Sequence, residues 1–193
     1  DPESCSLTKH FYDRGWHGLN IEPSSPSFER VQRARPRDIN IHAGASTARG
    51  TLTFFEFSSD ADGLNTFSAE VAGKHRRAGF SCVERSVDVF PIADLLEKHA
   101  PAVIDFMNVD VEGFEREVLA GADLMRFRPR VLVIESTLPL SAIPSHEAWQ
   151  ELVLAADYRL AVFDGLNRFY VRPEDEALIE LLAVPPSTLD DFV

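Results

Sequence analysis

Hydrophobic positions along the chain alternate between stretches with the period of a helix and stretches typical of strands. Residues 103–110 and 130–135 are almost continuously apolar, as expected for strands that are buried on both faces of a sheet. Helical patterns lie before, between and after these two stretches. This alternation favours a mostly parallel sheet covered by helices, so the predicted fold class is α/β, of the doubly wound Rossmann-like type.

The pattern predicts the boundaries of most elements. Helices are expected over about residues 4–14, 26–34, 68–78, 92–99, 113–125, 145–156 and 174–182. Strands are expected over about residues 17–22, 38–43, 51–57, 81–89, 103–110, 130–135, 158–163 and 168–171. Residues 164–167 are too few to connect parallel strands, so the sheet should end in an antiparallel hairpin.

The start of the chain lacks one expected element. A doubly wound domain needs a strand before its opening helix, and the first residues show no strand pattern. We therefore expect residues 1–193 to form a single domain that is N-terminally incomplete, with its first strand upstream.

Composition limits the classes of partner. Hydrophobic residues make up 45% of the chain, which favours a packed core. The net charge of −12 repels phosphate backbones, so we expect no nucleic-acid partner. No apolar run approaches the roughly 20 residues that span a bilayer, so no membrane partner is expected. Cys5 and Cys82 show no metal-ligand spacing, which suits a reducing cytoplasm.

Asp110 and Glu112 form the most distinctive pair of polar residues. They stand at the end of a strand predicted to be buried and precede Gly113, which should open a helix. Carboxylates in such a place are unfavourable unless they meet a cation, a hydrogen-bond donor or a shared proton. They could hold a cationic amino group, act as general base on a hydroxyl, or bind a divalent ion. The alternative is that one of them caps the following helix.

Other predicted strand ends carry groups that suit a nucleoside. Glu22 could accept hydrogen bonds from both hydroxyls of an adenosine ribose, or it could be a solvated turn residue. Ala45 and Ser46, in a predicted turn with Gly44, are small enough to let an adenine approach the backbone. Asp1 would lie in the ligand-binding loop of such a fold, or would serve as a capping carboxylate.

Three further features are candidates for the same site. Glu135 ends the second apolar strand and could complete an oxygen-rich metal site with Asp110. His146 follows that strand and could act as a general base, although a surface histidine in a first helical turn is more common. Residues 65–67 are candidates for the lining of a substrate pocket, or simply for a helix entry.

Four segments of the chain resemble the FkbM family of methyltransferases. They read FYDRGWHG at 11–18, IEP at 21–23, IDFMNVDVEGFE at 104–115 and RPRVLVIE at 128–135. Their order and spacing over almost the whole chain are more specific than any one segment. The strongest hallmark is Asp, a hydrophobic residue and Glu-Gly before an acidic helix, then Arg-Pro before the next strand.

The resemblance implies a class I methyltransferase fold and O-methylation with S-adenosylmethionine as cofactor. The expected substrate is a hydroxyl of a small molecule or glycan, such as a sugar or a polyketide-type natural product. By position, Glu22 would bind the donor ribose and Asp1 would belong to the donor loop. Asp110 and Glu112 would face the methyl-transfer centre. A divalent metal and the oligomeric state stay open.

Two other functions stay open. A nicotinamide-dependent oxidoreductase or epimerase could share this architecture, although the terminal hairpin and the absence of a recognisable Tyr-x-x-x-Lys pair argue against it. The chain could also be a non-catalytic α/β module attached to a glycan-assembly protein.

Overall fold

The computed structural model describes residues 2–4 and 6–183 and shows a mixed α/β fold, as predicted. Its strands are β1 (Leu19–Ile21), β2 (Ile39–Ile41), β3 (Gly44–Ala45), β4 (Gly50–Phe57), β5 (Cys82–Phe90), β6 (Phe106–Val109), β7 (Val131–Glu135), β8 (Arg159–Phe163) and β9 (Asn167–Val171). Its α-helices are α1 (Lys9–Asp13), α2 (Ser25–Ala34), α3 (Ala69–Arg77), α4 (Ile92–His99), α5 (Glu115–Ala120), α6 (Leu124–Phe127), α7 (Gln150–Ala155) and α8 (Ala177–Leu182). Short 3-10 helices cover Ser59–Leu64, His146–Ala148 and Pro173–Asp175.

The strands of the described residues form three separate sheets. The first pairs β1 with β2 in parallel, and the second has the order β3-β5-β4. The third has the order β6-β7-β9-β8, in which β6 and β7 are parallel and β8 and β9 are antiparallel. The terminal antiparallel hairpin is therefore confirmed. One continuous doubly wound sheet is not established, and the upstream strand stays a prediction.

The main core packs around β7, which has a neighbouring strand on each side. Leu132 and Ile134 of this strand are fully buried, together with Tyr170 of β9 and Trp149 beside α7. The rings of Trp149 and Tyr170 meet edge to face, with their centroids 6.1 Å apart. Because close packing leaves buried side chains little freedom, this core fixes the end of β7, where Glu135 lies.

The helix predicted over residues 113–125 is interrupted. Residues 113–125 were expected to form a continuous helix, but α5 ends before Gly121 and α6 begins after Asp123. A Cβ atom at Gly121 would overlap the carbonyl oxygen of Ser46, and Asp123 has a left-handed backbone with φ 48°. The close approach of another segment of backbone therefore ends the helix, which the local apolar pattern does not reveal.

The predicted turn at residues 44–46 is also different. Gly44 and Ala45 form the short strand β3, which pairs in parallel with Val89 and Phe90 of β5. A pairing with residues more than forty positions away is not visible in a local pattern. Within the described part of the chain, no helix combines the length and the apolar character required to cross a bilayer.

Candidate active site

A cavity of about 750 Å³ is lined by residues of both β1 and β6. Each of these strands has a neighbouring strand on only one side within residues 2–4 and 6–183. The cavity falls in the range of roughly 300–1,000 Å³ that small-molecule sites occupy. Several of the residues singled out in the sequence line its wall, among them Glu22, Ala45, Asp110 and Glu112.

The register between β6 and β7 brings two carboxyl groups side by side. Val109 lies opposite Ile134 in this parallel pair, so the next residues, Asp110 and Glu135, lie side by side at the carboxyl ends of the two strands. Neighbouring strands are about 4.8 Å apart. One carboxylate oxygen from each of Asp110, Glu112 and Glu135 lies within 4.8 Å of the other two. We call these three residues the acidic cluster.

Glu112 joins the acidic cluster through an unusual backbone conformation. Its φ is 51°, in the left-handed region that few residues other than glycine adopt. Gly113 follows with φ 89°, and a Cβ there would lie 2.7 Å from Cγ2 of Val71. The hydroxyl of Thr66 donates a hydrogen bond to the carbonyl oxygen of Glu112 over 2.8 Å. The surrounding structure therefore holds a strained turn at the cavity wall.

Glu115 is also acidic and buried, but it has a structural partner. Its Oε1 accepts a hydrogen bond from the backbone N–H of Gly113 over 3.0 Å. This bond satisfies one of the free N–H groups that precede a helix. Glu115 therefore stabilises the turn. The carboxylates of the acidic cluster instead lie close to one another.

Burial dominates the electrostatics of the acidic cluster. Burial, followed by the charges of Asp110 and Glu115, raises the pKa of Glu112 to about 8. Burial and then the neighbouring carboxylates raise the pKa of Glu135 to about 9. Burial also raises the pKa of Asp110, which is open to solvent on the cavity side but surrounded by protein on its other sides.

Positive partners for the acidic cluster are not found among the described residues. No lysine, arginine or histidine side chain of residues 2–4 and 6–183 forms an ion pair with any of the three carboxyl groups. Like charges at this separation disfavour full ionisation. The arrangement can therefore accept a proton or bind a cation.

Glu22 lies directly after β1 and faces the same cavity. Its Oε1 accepts a hydrogen bond from the backbone N–H of Ser24 over 2.9 Å, which restricts the orientation of the carboxylate. The structure thus brings Glu22, from one sheet, and Asp110, from another, to the wall of a single cavity. The sequence predicted that these two residues would share a site, because both lie at the carboxyl ends of predicted strands.

The small residues Gly44, Ala45 and Ser46 have different surroundings. Gly44 is packed against the ring of Phe67, which a Cβ at position 44 would overlap. Gly44 and Ala45 line the cavity, whereas Ser46 does not. Ser46 is buried, and its N–H donates to the carbonyl oxygen of Phe90 over 3.0 Å. Internal packing therefore accounts for Ser46, whereas Gly44 and Ala45 both face the cavity.

The structure does not bring His146 into the cavity wall. This residue begins a short 3-10 helix and is half-buried, and its Nδ1 has no hydrogen-bond partner among the described residues. Burial, followed by the charge of Arg168, lowers the pKa of its imidazole. Asp1 lies outside the described residues. Residues 65–67, by contrast, do line the cavity, as the sequence suggested.

Two features of the site were missed at the level of sequence. Phe11, Trp16 and Phe106 form an aromatic group in the cavity wall, with ring centroids 5.0 Å apart for Phe11 and each of the other two. An apolar pattern does not distinguish a core position from a cavity wall, so it gave no signal. The bond from Thr66 to Glu112 was also missed, because a single threonine carries no recognisable pattern.

The fold and the site define a class of protein: an α/β protein whose acidic strand ends face a cavity of small-molecule size. The family model described as Methyltransferase FkbM domain matches residues 1–160. The chain belongs to this family and is a methyltransferase. Neither the search of curated proteins nor the search of solved structures found a match. The family match confirms the resemblance and favours a methyltransferase over a nicotinamide-dependent or non-catalytic protein.

Proposed function

We propose that this methyltransferase uses S-adenosylmethionine to methylate a hydroxyl oxygen of a small molecule, such as a sugar or a polyketide-type natural product. One observation carries the proposal: Glu22 after β1 and Asp110 and Glu112 after β6 line the same cavity. Ligands of open α/β folds bind at the carboxyl ends of strands, which is where these three carboxylates lie.

The residues of the cavity fit this donor. It carries positive charge and two ribose hydroxyls, and it supplies an electrophilic methyl group when bound. Glu22 offers a carboxylate to the hydroxyls, and Ala45 leaves room for a flat base beside it. The acidic cluster favours a cationic ligand, and the cavity volume of about 750 Å³ suits a molecule of this size.

The acidic cluster also suits the removal of a proton from the acceptor. A hydroxyl must lose its proton as its oxygen is methylated, and a carboxylate within hydrogen-bond reach can take that proton. Asp110 and Glu112 both line the cavity and are the candidates for this base. His146 is a weaker candidate, because it does not line the cavity. Positioning of the two reactants in one cavity supplies the rest of the rate enhancement.

A turnover assay with a matched pair of variants tests this function. The purified protein is incubated with S-adenosylmethionine and a panel of sugars and hydroxylated polyketides, and formation of S-adenosylhomocysteine is measured. Asp110→Asn should reduce turnover by about 100-fold or more while leaving the circular dichroism unchanged. The control Glu180→Gln, an exposed residue on α8, should retain activity. Near-normal turnover by Asp110→Asn would contradict the assignment.

A further inference from the structure

Glu135 is the least accessible member of the acidic cluster. Its side chain is 7% exposed, and its Oε2 is buried without a hydrogen-bond partner among the described residues. A buried carboxylate oxygen without a donor is unfavourable, and the hydrogen bond between Glu135 and Asp110 exists only while one of the two carboxyl groups is protonated. The register of β6 and β7 points this group at Asp110, with an oxygen of each within 4.8 Å of the other and of Glu112. The arrangement fits a ligand that carries positive charge.

The spacing of the acidic cluster is compatible with a divalent cation, and its charge favours one. Oxygen ligands around Mg²⁺ lie about 3 to 4 Å apart, and those around Ca²⁺ up to about 4.8 Å apart, given the usual metal–oxygen distances. The three oxygens of the acidic cluster fall within that limit. Full ionisation of the three carboxyl groups needs a compensating charge, and a divalent ion supplies more of it than a monovalent ammonium does.

We propose that Asp110, Glu112 and Glu135 together bind one divalent cation of the Mg²⁺, Mn²⁺ or Ca²⁺ class. Ligands that are all oxygen atoms select these hard ions over zinc or copper. Three protein ligands leave further coordination positions on the cavity side, where Asp110 and Glu112 are accessible. Water or hydroxyl oxygens of a ligand would fill those positions.

The catalytic role of this cation rests on the proposed function. A hydroxyl oxygen of the acceptor, once bound to the cation, loses its proton more readily. The proton passes to a carboxylate oxygen of Asp110 or Glu112 that does not bind the cation, since each residue needs only one oxygen as ligand. Cation binding itself requires neither the methyl donor nor the acceptor.

Electron paramagnetic resonance of Mn²⁺ tests the site directly. The free ion gives a signal that disappears on binding, so titration of the protein with Mn²⁺ alone yields a stoichiometry and an affinity. We expect one Mn²⁺ per chain, displaced by Mg²⁺ or Ca²⁺. Glu135→Gln and Asp110→Asn should each weaken binding by at least about tenfold, and Glu180→Gln should bind like the wild type.

Thermal unfolding of the same variants shows whether they are folded. Glutamine has the shape of glutamate and removes like-charge repulsion, so Glu135→Gln should unfold no earlier than the wild type without Mn²⁺. Mn²⁺ should raise the unfolding temperature of the wild type and of Glu180→Gln, but not that of Glu135→Gln. If Glu135→Gln does not fold, the solvent-accessible Asp110→Asn decides the outcome.

The proposal is overturned if the wild type shows no stoichiometric Mn²⁺ site, or if Glu135→Gln and Asp110→Asn bind Mn²⁺ as tightly as Glu180→Gln. The acidic cluster would then share protons among its carboxyl groups instead of holding a cation. Because the titration omits donor and acceptor, this result is independent of whether the protein transfers a methyl group.

Discussion

At the scale of single residues, Thr66 shows how a side chain outside the acidic cluster shapes the site. It is 1% exposed, and its hydroxyl donates to the carbonyl oxygen of Glu112 over 2.8 Å. The hydroxyl oxygen of Thr66 in turn accepts a hydrogen bond from the N–H of Ser68 over 2.9 Å. One hydroxyl group therefore ties the start of α3 to the strained turn that carries Glu112.

Thr66→Val should remove both hydrogen bonds while keeping the shape of the side chain. The carbonyl of Glu112 and the N–H of Ser68 would lose their partner, which should cost about 1–3 kcal/mol in the free energy of unfolding. Thr66→Ser keeps the hydroxyl and is the matched control. Urea denaturation measures both variants, and a Thr66→Val protein as stable as Thr66→Ser would refute this role.

At the scale of elements, the boundary between α5 and α6 depends on how closely two backbones approach. Gly121 lies against the carbonyl oxygen of Ser46, the residue that follows β3. The N–H of Ala93 in α4 donates to the carbonyl oxygen of Gly121 over 2.9 Å. Three segments from distant parts of the sequence therefore meet at a position where only a glycine fits.

Gly121→Ala should destabilise the fold because its Cβ overlaps backbone atoms, which cannot move aside as a flexible side chain can. The expected loss is about 1–3 kcal/mol or more in the free energy of unfolding, measured by urea denaturation. Gly50→Ala is the control, since a Cβ there meets no atom within 4 Å. Equal stability of the two variants would show that the close approach is absent.

Helix α3 carries a buried histidine that links stability to pH. His75 is buried and meets the rings of Phe57 and Phe80 edge to face, and its Nε2 has no hydrogen-bond partner among the described residues. Burial lowers the pKa of this imidazole below that of the unfolded chain. The unfolded state therefore binds a proton more readily, and folding stability should fall as pH drops below about 6.5.

His75→Phe should remove this part of the pH dependence, because phenylalanine keeps an aromatic ring in the pocket and does not titrate. The measurement is the difference in the free energy of unfolding between about pH 7.5 and about pH 5, which brackets the titration of an ordinary histidine. The wild type should lose more stability over this interval than His75→Phe. Identical losses would show that His75 does not titrate differently on folding.

At the scale of the whole molecule, local sequence patterns predicted the helices and strands better than the tertiary contacts between them. Helix α4 matches its expected range of 92–99, since its apolar spacing and flanking residues are local signals. The proximity of Asp110 to Glu135 could also be predicted from the sequence, because the carboxyl ends of adjacent parallel strands lie at the same edge of a sheet. The break at Gly121 and the position of His146 did not, since both depend on contacts between distant segments.

The central claim is that the cavity between β1 and β6 binds S-adenosylmethionine, and calorimetric titration with its product tests this most directly. S-adenosylhomocysteine should bind the purified protein with one site per chain, whereas NAD⁺ should give no heat of binding. Glu22→Gln should weaken that binding by about tenfold or more, as expected when a charged hydrogen-bond acceptor is lost. Binding of NAD⁺ in place of S-adenosylhomocysteine, or equal affinity of Glu22→Gln and the wild type, would contradict the account.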